Sequence, residues 1–421
     1  MGALARHRQG LWRDRDVTTG KPSRRLRQML SLDDFEREAK CFLPRPVYAY
    51  VAGGTEDQFT LGDNRRVFQE YGLVSRMLRD VSKRSIKTTL FGQEWAAPFG
   101  IAPMGLSALS TFRGDLALAR AAKQARIPMV VSGTSMIRME EVIQENPEAW
   151  FQAYVPGDLE RTLPLLDRIK AAGYQTLVLT VDTFLGASRE NHLRAGFSTP
   201  LRPSLRLAWD GITRPRWLFG TFFRTLLQHG MPHFENSFAL RGAPIISQNA
   251  ARDHGTKDHM DWDRFALIRR HWQGRLIVKG LLHSDDCRMA RDLGADGIIV
   301  SNHGGRQLDA GPSPLRVLPS ILEELSKTGR SIPVMIDSGF RRGDDVLKAL
   351  ALGADFVFVG RPFNFASSVA GQAGVEHAIG LLKDEVYRGL GMMGYNAVTE
   401  VRQARADRVL IDLPLMGSGR R

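Results

Sequence analysis

Eight short apolar runs recur from residue 98 onward, and they constrain this chain more than any other feature. They read PFGIAP (98–103), PMVVS (128–132), WFQAY (150–154), TLVLTVD (176–182), RLIVKG (275–280), GIIVSN (297–302), PVMID (333–337) and FVFVG (356–360). Each is bounded by Gly, Pro or polar turns and is nearly continuous in apolar character. Strands buried on both faces of a parallel sheet have this look, because neither face meets water. Helical patterns lie between the runs, such as GDLALARAAKQA (114–125) and DDVLKALALGA (344–354). In the second, Val346, Leu347, Leu350 and Ala351 share one helical face. Eight β–α units in series predict an α/β fold, a (β/α)8 TIM barrel. A doubly wound open sheet is the alternative; it is disfavoured because no G-x-G-x-x-G follows the first run.

The spacing is regular except between Asp182 and Arg275, a gap too long for one helix and its loops. The expected organisation is a basic, flexible extension over 1–30, a barrel domain over 31–400 with an insertion at about 195–260, and a C-terminal tail over 401–421. LDDFEREAKCFLP and VYAYVAGG read as helices that cap one end of the barrel. The formal charge is +13, and the first thirty residues hold eight Lys/Arg against Asp14 and Asp16. A basic surface attracts nucleic acid, anionic lipid or anionic substrates. No finger or RNP motif supports nucleic acid as a partner. The only cysteines, Cys41 and Cys287, make neither a disulfide framework nor a metal site. No secretory core and no run of about 20 apolar residues is present. A cytoplasmic protein without a metal is expected.

In a (β/α)8 barrel the chemistry sits at the C-terminal ends of the strands. The third run ends in Gln152 and Tyr154. The fourth ends in Thr180 and Asp182, with Arg189 beyond. The fifth ends in Lys279, and the sixth runs into SNHGGRQLD (301–309). The seventh ends in Asp337 followed by SGFRRG, and the eighth in GRP (360–362). The turns after strands seven and eight are the usual phosphate site of this barrel. Gly339, Gly343 and Gly360 allow close backbone approach, and Arg341 and Arg361 supply forked donors, so a phosphorylated cofactor or substrate is expected. His303 lies in a glycine-rich strand-end loop and suits a general base. Asp182, across the barrel, could orient it. Arg189 and Arg306 converge on the same pocket, as suits a carboxylate. Lys279 could form a Schiff base, pair with a carboxylate or stabilise charge on a cofactor ring.

These residues carry a resemblance. VYAYVAGGTEDQFTLGDNR (47–65), IAPMGLSAL (101–109), WFQAYV (150–155), LTVD (179–182), VKG (278–280), SNHGGRQLD (301–309), DSGFRRGDDVLKALALGAD (337–355) and GRPF (360–363) resemble the FMN-dependent L-2-hydroxy acid dehydrogenase/oxidase family. The resemblance implies FMN, lined by Pro103, Met104, Gly105, Ser132, Gln152, Thr180, Lys279 and Ser301. It implies that Lys279 stabilises the anionic reduced ring. It further implies that Asp337, Ser338, Gly339 and Arg341, with Gly360 and Arg361, hold the phosphate. Tyr50 and Tyr154 would contact the substrate, Arg189 and Arg306 would clamp its carboxylate, and His303, paired with Asp182, would be the base. The product would be a 2-oxo acid, with oxygen, a quinone or another carrier as acceptor.

Within that family the chain most resembles the mandelate and membrane-associated lactate dehydrogenases. Gly105 stands where the oxidases usually carry alanine. Thr134 stands where a larger residue would narrow the pocket, so an aromatic or bulky substrate such as (S)-mandelate is expected. L-lactate dehydrogenase, an oxidase using oxygen and a non-catalytic FMN-binding scaffold are the alternatives. Inside the insertion, LRLAWDGITRPRWLFGTFFRTLLQHG (205–230) places Trp217, Leu218, Phe219, Phe222, Phe223, Leu226 and Leu227 among Arg206, Arg214, Arg216 and Arg224. That composition suits a helix in a membrane interface. A peripheral position on the inner face of the cytoplasmic membrane is expected, and the resemblance implies a homo-oligomer, a tetramer. The segment after Arg189 reads ENHLRAGF and departs from the family pattern, as does Met104.

Overall fold

A computed structural model of the protein describes residues 23–413, apart from 156–158, 199, 203, 248–259 and 405–408. Each apolar run contains a strand. The barrel strands are β1 (Phe99–Ile101), β2 (Val130–Ser132), β3 (Trp150–Ala153), β4 (Thr176–Thr180), β5 (Arg275–Leu281), β6 (Gly297–Val300), β7 (Val334–Ile336) and β8 (Phe356–Val359). All pair in parallel with their sequence neighbours, and β8 pairs with β1 through Val357–Phe99 and Val359–Ile101. A bridge between Ile101 and Met129 closes the ring between β1 and β2. The chain is a (β/α)8 barrel, not an open sheet. β3 and β4 are buried at every residue, the burial pattern that the continuous apolar runs predicted.

Two apolar cores follow from this geometry. Val130, Trp150, Val178, Ile277, Ile299, Met335 and Phe358 fill the barrel itself. A hairpin of Thr88–Leu90 and Gln93–Trp95 adds Leu90 and Trp95 to that core. The larger core lies between strands and helices. Helices α1 (Leu32–Phe42), α2 (Arg45–Ala52) and α3 (Phe59–Arg66) precede the barrel, as the sequence suggested for the first two. α1 begins with a capping box in which Asp34 accepts from the Ser31 N–H at 2.8 Å, satisfying a donor that the helix leaves open. Of the expected basic extension, residues 1–22 lie outside the described residues. Its end is packed: Leu26 and Met29 are buried, and the Met29 carbonyl lies 2.9 Å from His377 Nε2. At the other terminus, Leu410–Asp412, assigned by sequence to the tail, pairs antiparallel with Tyr71–Leu73, and 414–421 lie outside the described residues.

The insertion carries α4 (Leu205–Ile212), then Pro215–Trp217, a π-helical Leu218–Phe223 and Arg224–His229. Arg45 Nε of α2 holds Asp210 of α4 at 2.9 Å. Trp217 differs from the sequence expectation. It is buried, and its indole N–H donates to the Leu109 carbonyl at 2.8 Å. A tryptophan on one side of a helix whose other side is apolar serves here as the rivet to the barrel. Phe219, Phe223 and Leu227 remain 66%, 40% and 85% exposed. Among the described residues no helix is long and apolar enough to cross a membrane.

Candidate active site

The strand ends converge on a cavity of about 470 Å³, within the usual ligand-pocket range. One irregularity in the sheet places its charged floor. The pairing of β5 and β6 shifts between Lys279 and Leu281. Gly280, at that shift, has φ +106, and a Cβ there would stand 2.6 Å from the Asp182 Cβ. Only glycine permits both the backbone conformation and the approach of Asp182. Lys279 Nζ, buried, donates to Ser301 Oγ at 2.7 Å and lies 3.3 Å from Asp337 Oδ2 and 3.8 Å from Asp182 Oδ2. Burial works against its charge, but Asp337 and Asp182 hold the ammonium above the ordinary lysine range. Schiff-base chemistry needs a neutral amine, so this geometry favours the charge-stabilising role among those open to Lys279.

His303 stands over that floor. Its φ is +57, and Gly304 and Gly305 follow at +67 and +71, a run of left-handed residues that few sequences tolerate. The loop is held rather than loose. The His303 N–H donates to Ser301 Oγ at 3.1 Å, Gly304 N–H to Ser338 Oγ at 3.1 Å, and Gly305 N–H to Asn302 Oδ1 at 3.1 Å. Asn302 in turn exchanges amide hydrogen bonds with Asn64 of α3, at 2.8 and 3.0 Å. The imidazole Nδ1 lies 2.8 Å from Asp182 Oδ1, and Nε2 lies 3.4 Å from the Tyr154 hydroxyl. An Asp on Nδ1 selects the tautomer with a basic Nε2. Burial, with Lys279 and Arg189 nearby, lowers the His303 pKa, while Asp182 opposes the shift. Burial pushes Asp182 upward, but His303 and Lys279 outweigh it and keep the carboxylate below its usual range.

Two arginines and two tyrosines complete this end. Arg306 Nη1 donates to the carbonyls of Tyr50 (2.7 Å) and Gly53 (3.1 Å) at the end of α2, and its guanidinium lies 5.0 Å from the Tyr50 ring. Arg189 Nη2 donates to the Arg306 carbonyl at 3.1 Å and to Gln307 Oε1 at 3.0 Å. Burial and the neighbouring Arg189 push Arg306 down to about 10. Two half-buried cations side by side repel each other unless an anion joins them. Burial raises Tyr154 above the ordinary phenol range, which keeps its hydroxyl a donor.

At the far end, Ser338 (φ +79) and Gly339 (φ +87) turn the chain after β7. A Cβ on Gly339 would meet the Asn64 carbonyl at 2.0 Å, so glycine is required there. Arg361 donates to the carbonyls of Val51 and Gly53, each at 2.9 Å, and burial lowers it to about 9. Arg341 Nη2 pairs with Glu36 at 2.7 Å, while its buried Nη1 has no hydrogen-bond partner among the described residues. Buried donors and hydroxyls also wait along the middle: Gln152 Nε2 and Thr180 Oγ1 lack partners. An ammonium, an amide donor and a hydroxyl in a row, ending in a glycine turn with two arginines, fit a carbonyl-bearing ring tied to a phosphate. The residues present thus fit FMN.

Of the residues singled out by sequence, Tyr50, Pro103, Met104, Gly105, Tyr154, Thr180, Arg189, Lys279, His303, Arg306, Asp337, Ser338, Gly339, Arg341, Gly360 and Arg361 line the one cavity. Asp182, Ser132, Gln152 and Ser301 stand behind its wall, reaching it through His303, Thr134 and Lys279. Sequence reasoning missed several supports. Gln307 joins Arg189 to the Asp182 carbonyl at 2.8 Å. His192 is buried against the Tyr50 ring (5.5 Å), and burial beside Arg306 and Arg189 drives it to about 3. Phe234 of the insertion and Arg65 of α3 also line the cavity. Gln307 lies inside SNHGGRQLD and was findable; His192 and Phe234 depend on long-range packing that no local pattern announces.

Comparison with known proteins adds four findings. A family model described as FMN-dependent dehydrogenase matches residues 39–408. The chain is 37% identical over 376 residues to (S)-mandelate dehydrogenase of Pseudomonas putida, covering 89% of this chain and 92% of that one. It is 38% identical over 381 residues to an L-lactate dehydrogenase of Xanthomonas euvesicatoria pv. vesicatoria, covering 89% and 96%. Among solved structures, the monotopic membrane protein (S)-mandelate dehydrogenase superposes with a TM-score of 0.84 at 35% identity, covering 92% of this chain and 100% of that one.

Proposed function

This chain belongs to the FMN-dependent dehydrogenase family, and we propose that within it the enzyme oxidises an L-2-hydroxy acid with an aromatic or bulky side chain to the 2-oxo acid. The observation that carries this reading is the His303–Asp182 pair, at 2.8 Å, with His303 sharing one cavity with the half-buried Arg189 and Arg306. Arg189 and Arg306 bind the substrate carboxylate, whose charge offsets their mutual repulsion. Tyr154 and Tyr50 donate to the substrate's oxygens and fix its pose. His303 takes a proton at Nε2, and Asp182 stabilises the imidazolium that results. When bound, FMN supplies the sink for two electrons. Lys279 holds its charge beside that sink, anchored by Ser301 and Asp337.

Gly105, Leu106, Thr134, Leu185 and Phe234, none of them charged, also line the cavity. This apolar end supports a bulky substrate side chain, as does the likeness to (S)-mandelate dehydrogenase. L-lactate is the second reading, favoured by the L-lactate dehydrogenase relative at 38% identity, against 37% for the (S)-mandelate dehydrogenase. The exposed apolar helix of the insertion and the monotopic membrane neighbour support peripheral membrane attachment, which this reading puts at the cytoplasmic face. A quinone or other carrier, rather than oxygen, is the acceptor in this reading, and the enzyme acts as a homo-oligomer. Anaerobic mixing of the holoenzyme with a panel of L- and D-2-hydroxy acids tests it. Flavin absorbance should bleach fastest with (S)-mandelate. Fastest bleaching with L-lactate selects the second reading, and rapid peroxide release in air contradicts the dehydrogenase assignment.

A further inference from the structure

A second cavity, about 520 Å³, lies beneath the insertion. Three observations say what it could hold. The first is its position. It backs directly onto the FMN cavity: Leu106 and Phe234 line the first cavity, while Ala108, Met136 and Glu235 line the second. Leu106, Ala108, Met136 and Phe234 belong to one small buried apolar cluster, which walls both spaces.

The second observation is its chemistry. Met136, Ile137, Met231 and Leu240 give it apolar surface, and Arg113, Arg138 and Arg241 give it donors. Most of the charge is already offset. Arg113 pairs with Glu141, Arg168 with Glu140 at 2.8 Å, and Arg241 with Glu235 at 2.8 Å. Such a lining suits a flat, uncharged head that accepts hydrogen bonds better than a multiply charged anion. The third is its opening. Thr225 and His229 of the insertion helix form one side, and that helix presents Phe219, Phe223 and Leu227 to the outside. An apolar tail leaving the cavity there would meet the surface proposed to face lipid.

We propose that this cavity receives the head of a membrane quinone, the acceptor for electrons drawn from the substrate; this deepens the 2-hydroxy acid reading and rests on it. The chemistry balances. The hydroxy acid loses two electrons and two protons as its C–H and O–H bonds break and C=O forms. The quinone gains two electrons and two protons, and its two C=O groups become C–OH. Electrons cross the Leu106–Met136–Phe234 wall, so quinone and substrate occupy different cavities.

The test uses holoenzyme and a short-chain ubiquinone analogue in two measurements. Equilibrium dialysis reads binding, and stopped-flow reads reoxidation of dithionite-reduced enzyme. Ala239→Trp fills the cavity, and Arg241→Gln removes the guanidinium's charge and most of its donors without adding bulk. The expected result is at least tenfold weaker binding and slower reoxidation in Ala239→Trp, a smaller loss in Arg241→Gln, and unchanged FMN content in both. Substrate does not enter either measurement, so failure of the 2-hydroxy acid reading would show separately, in the anaerobic panel. Wild-type binding and reoxidation in both variants, or displacement of the quinone by (S)-mandelate in a separate competition dialysis, overturns the proposal.

Discussion

At the scale of single residues, the site works by close approach. A Cβ on Gly105 would stand 2.2 Å from Thr134 Oγ1 and 3.1 Å from the Tyr50 hydroxyl. Gly105→Ala therefore forces Thr134 to turn, breaking its 3.0 Å contact with Ser132 Oγ. We expect kcat/KM for a bulky substrate to fall about tenfold or more, since small misplacements near reacting atoms are costly. Removing the obstructing oxygen in Gly105→Ala/Thr134→Ala should recover most of the loss, a non-additivity that a double-mutant cycle measures. His192 supplies a pH signature. It titrates near 3 when folded because burial and the adjacent arginines oppose its charge, and near 6.5 when unfolded. Between those values the unfolded chain binds more protons, so this group makes stability fall as pH drops from 6.5 toward 3. In His192→Phe the denaturation midpoint should decline less steeply across that window. His303 was legible because SNHGGRQLD marks it. His192 was not, because its partner Tyr50 comes from a distant segment.

At the scale of elements, the barrel was readable and its attachments were not. Eight continuous apolar runs became eight strands because a strand buried on both faces has no polar positions to conceal it. Leu410–Asp412 escaped, since a three-residue strand finding Tyr71–Leu73 leaves no local pattern. The insertion was legible in composition but not in orientation: Trp217 turned inward, and the outward side chains include Phe219, Phe223 and Leu227. A helix so exposed gains about 1.5–3 kcal/mol for each large apolar side chain taken out of water. Changing all three residues to Ser should reduce co-sedimentation with anionic lipid vesicles at least tenfold. Substrate-driven bleaching of the flavin should stay at the wild-type rate, because these side chains point away from the cavity. Equal sedimentation of variant and wild type would remove the membrane role from this helix.

At the scale of the whole molecule, charge concentrated in one cavity must be answered by bound anions. Arg189, Arg306, Arg361 and Lys279 line it together. FMN brings the phosphate, so loss of FMN should destabilise the fold and not only silence it. Free FMN at 100 times its Kd should add about 2.7 kcal/mol to the apoprotein's stability, read as a rise in Tm. The role of His303 as the base is read out by anaerobic stopped-flow of the wild type and His303→Ala with (S)-mandelate. The variant should keep its flavin but bleach at least about 100-fold more slowly, the lower range for a lost general base. Bleaching at the wild-type rate in His303→Ala would contradict it.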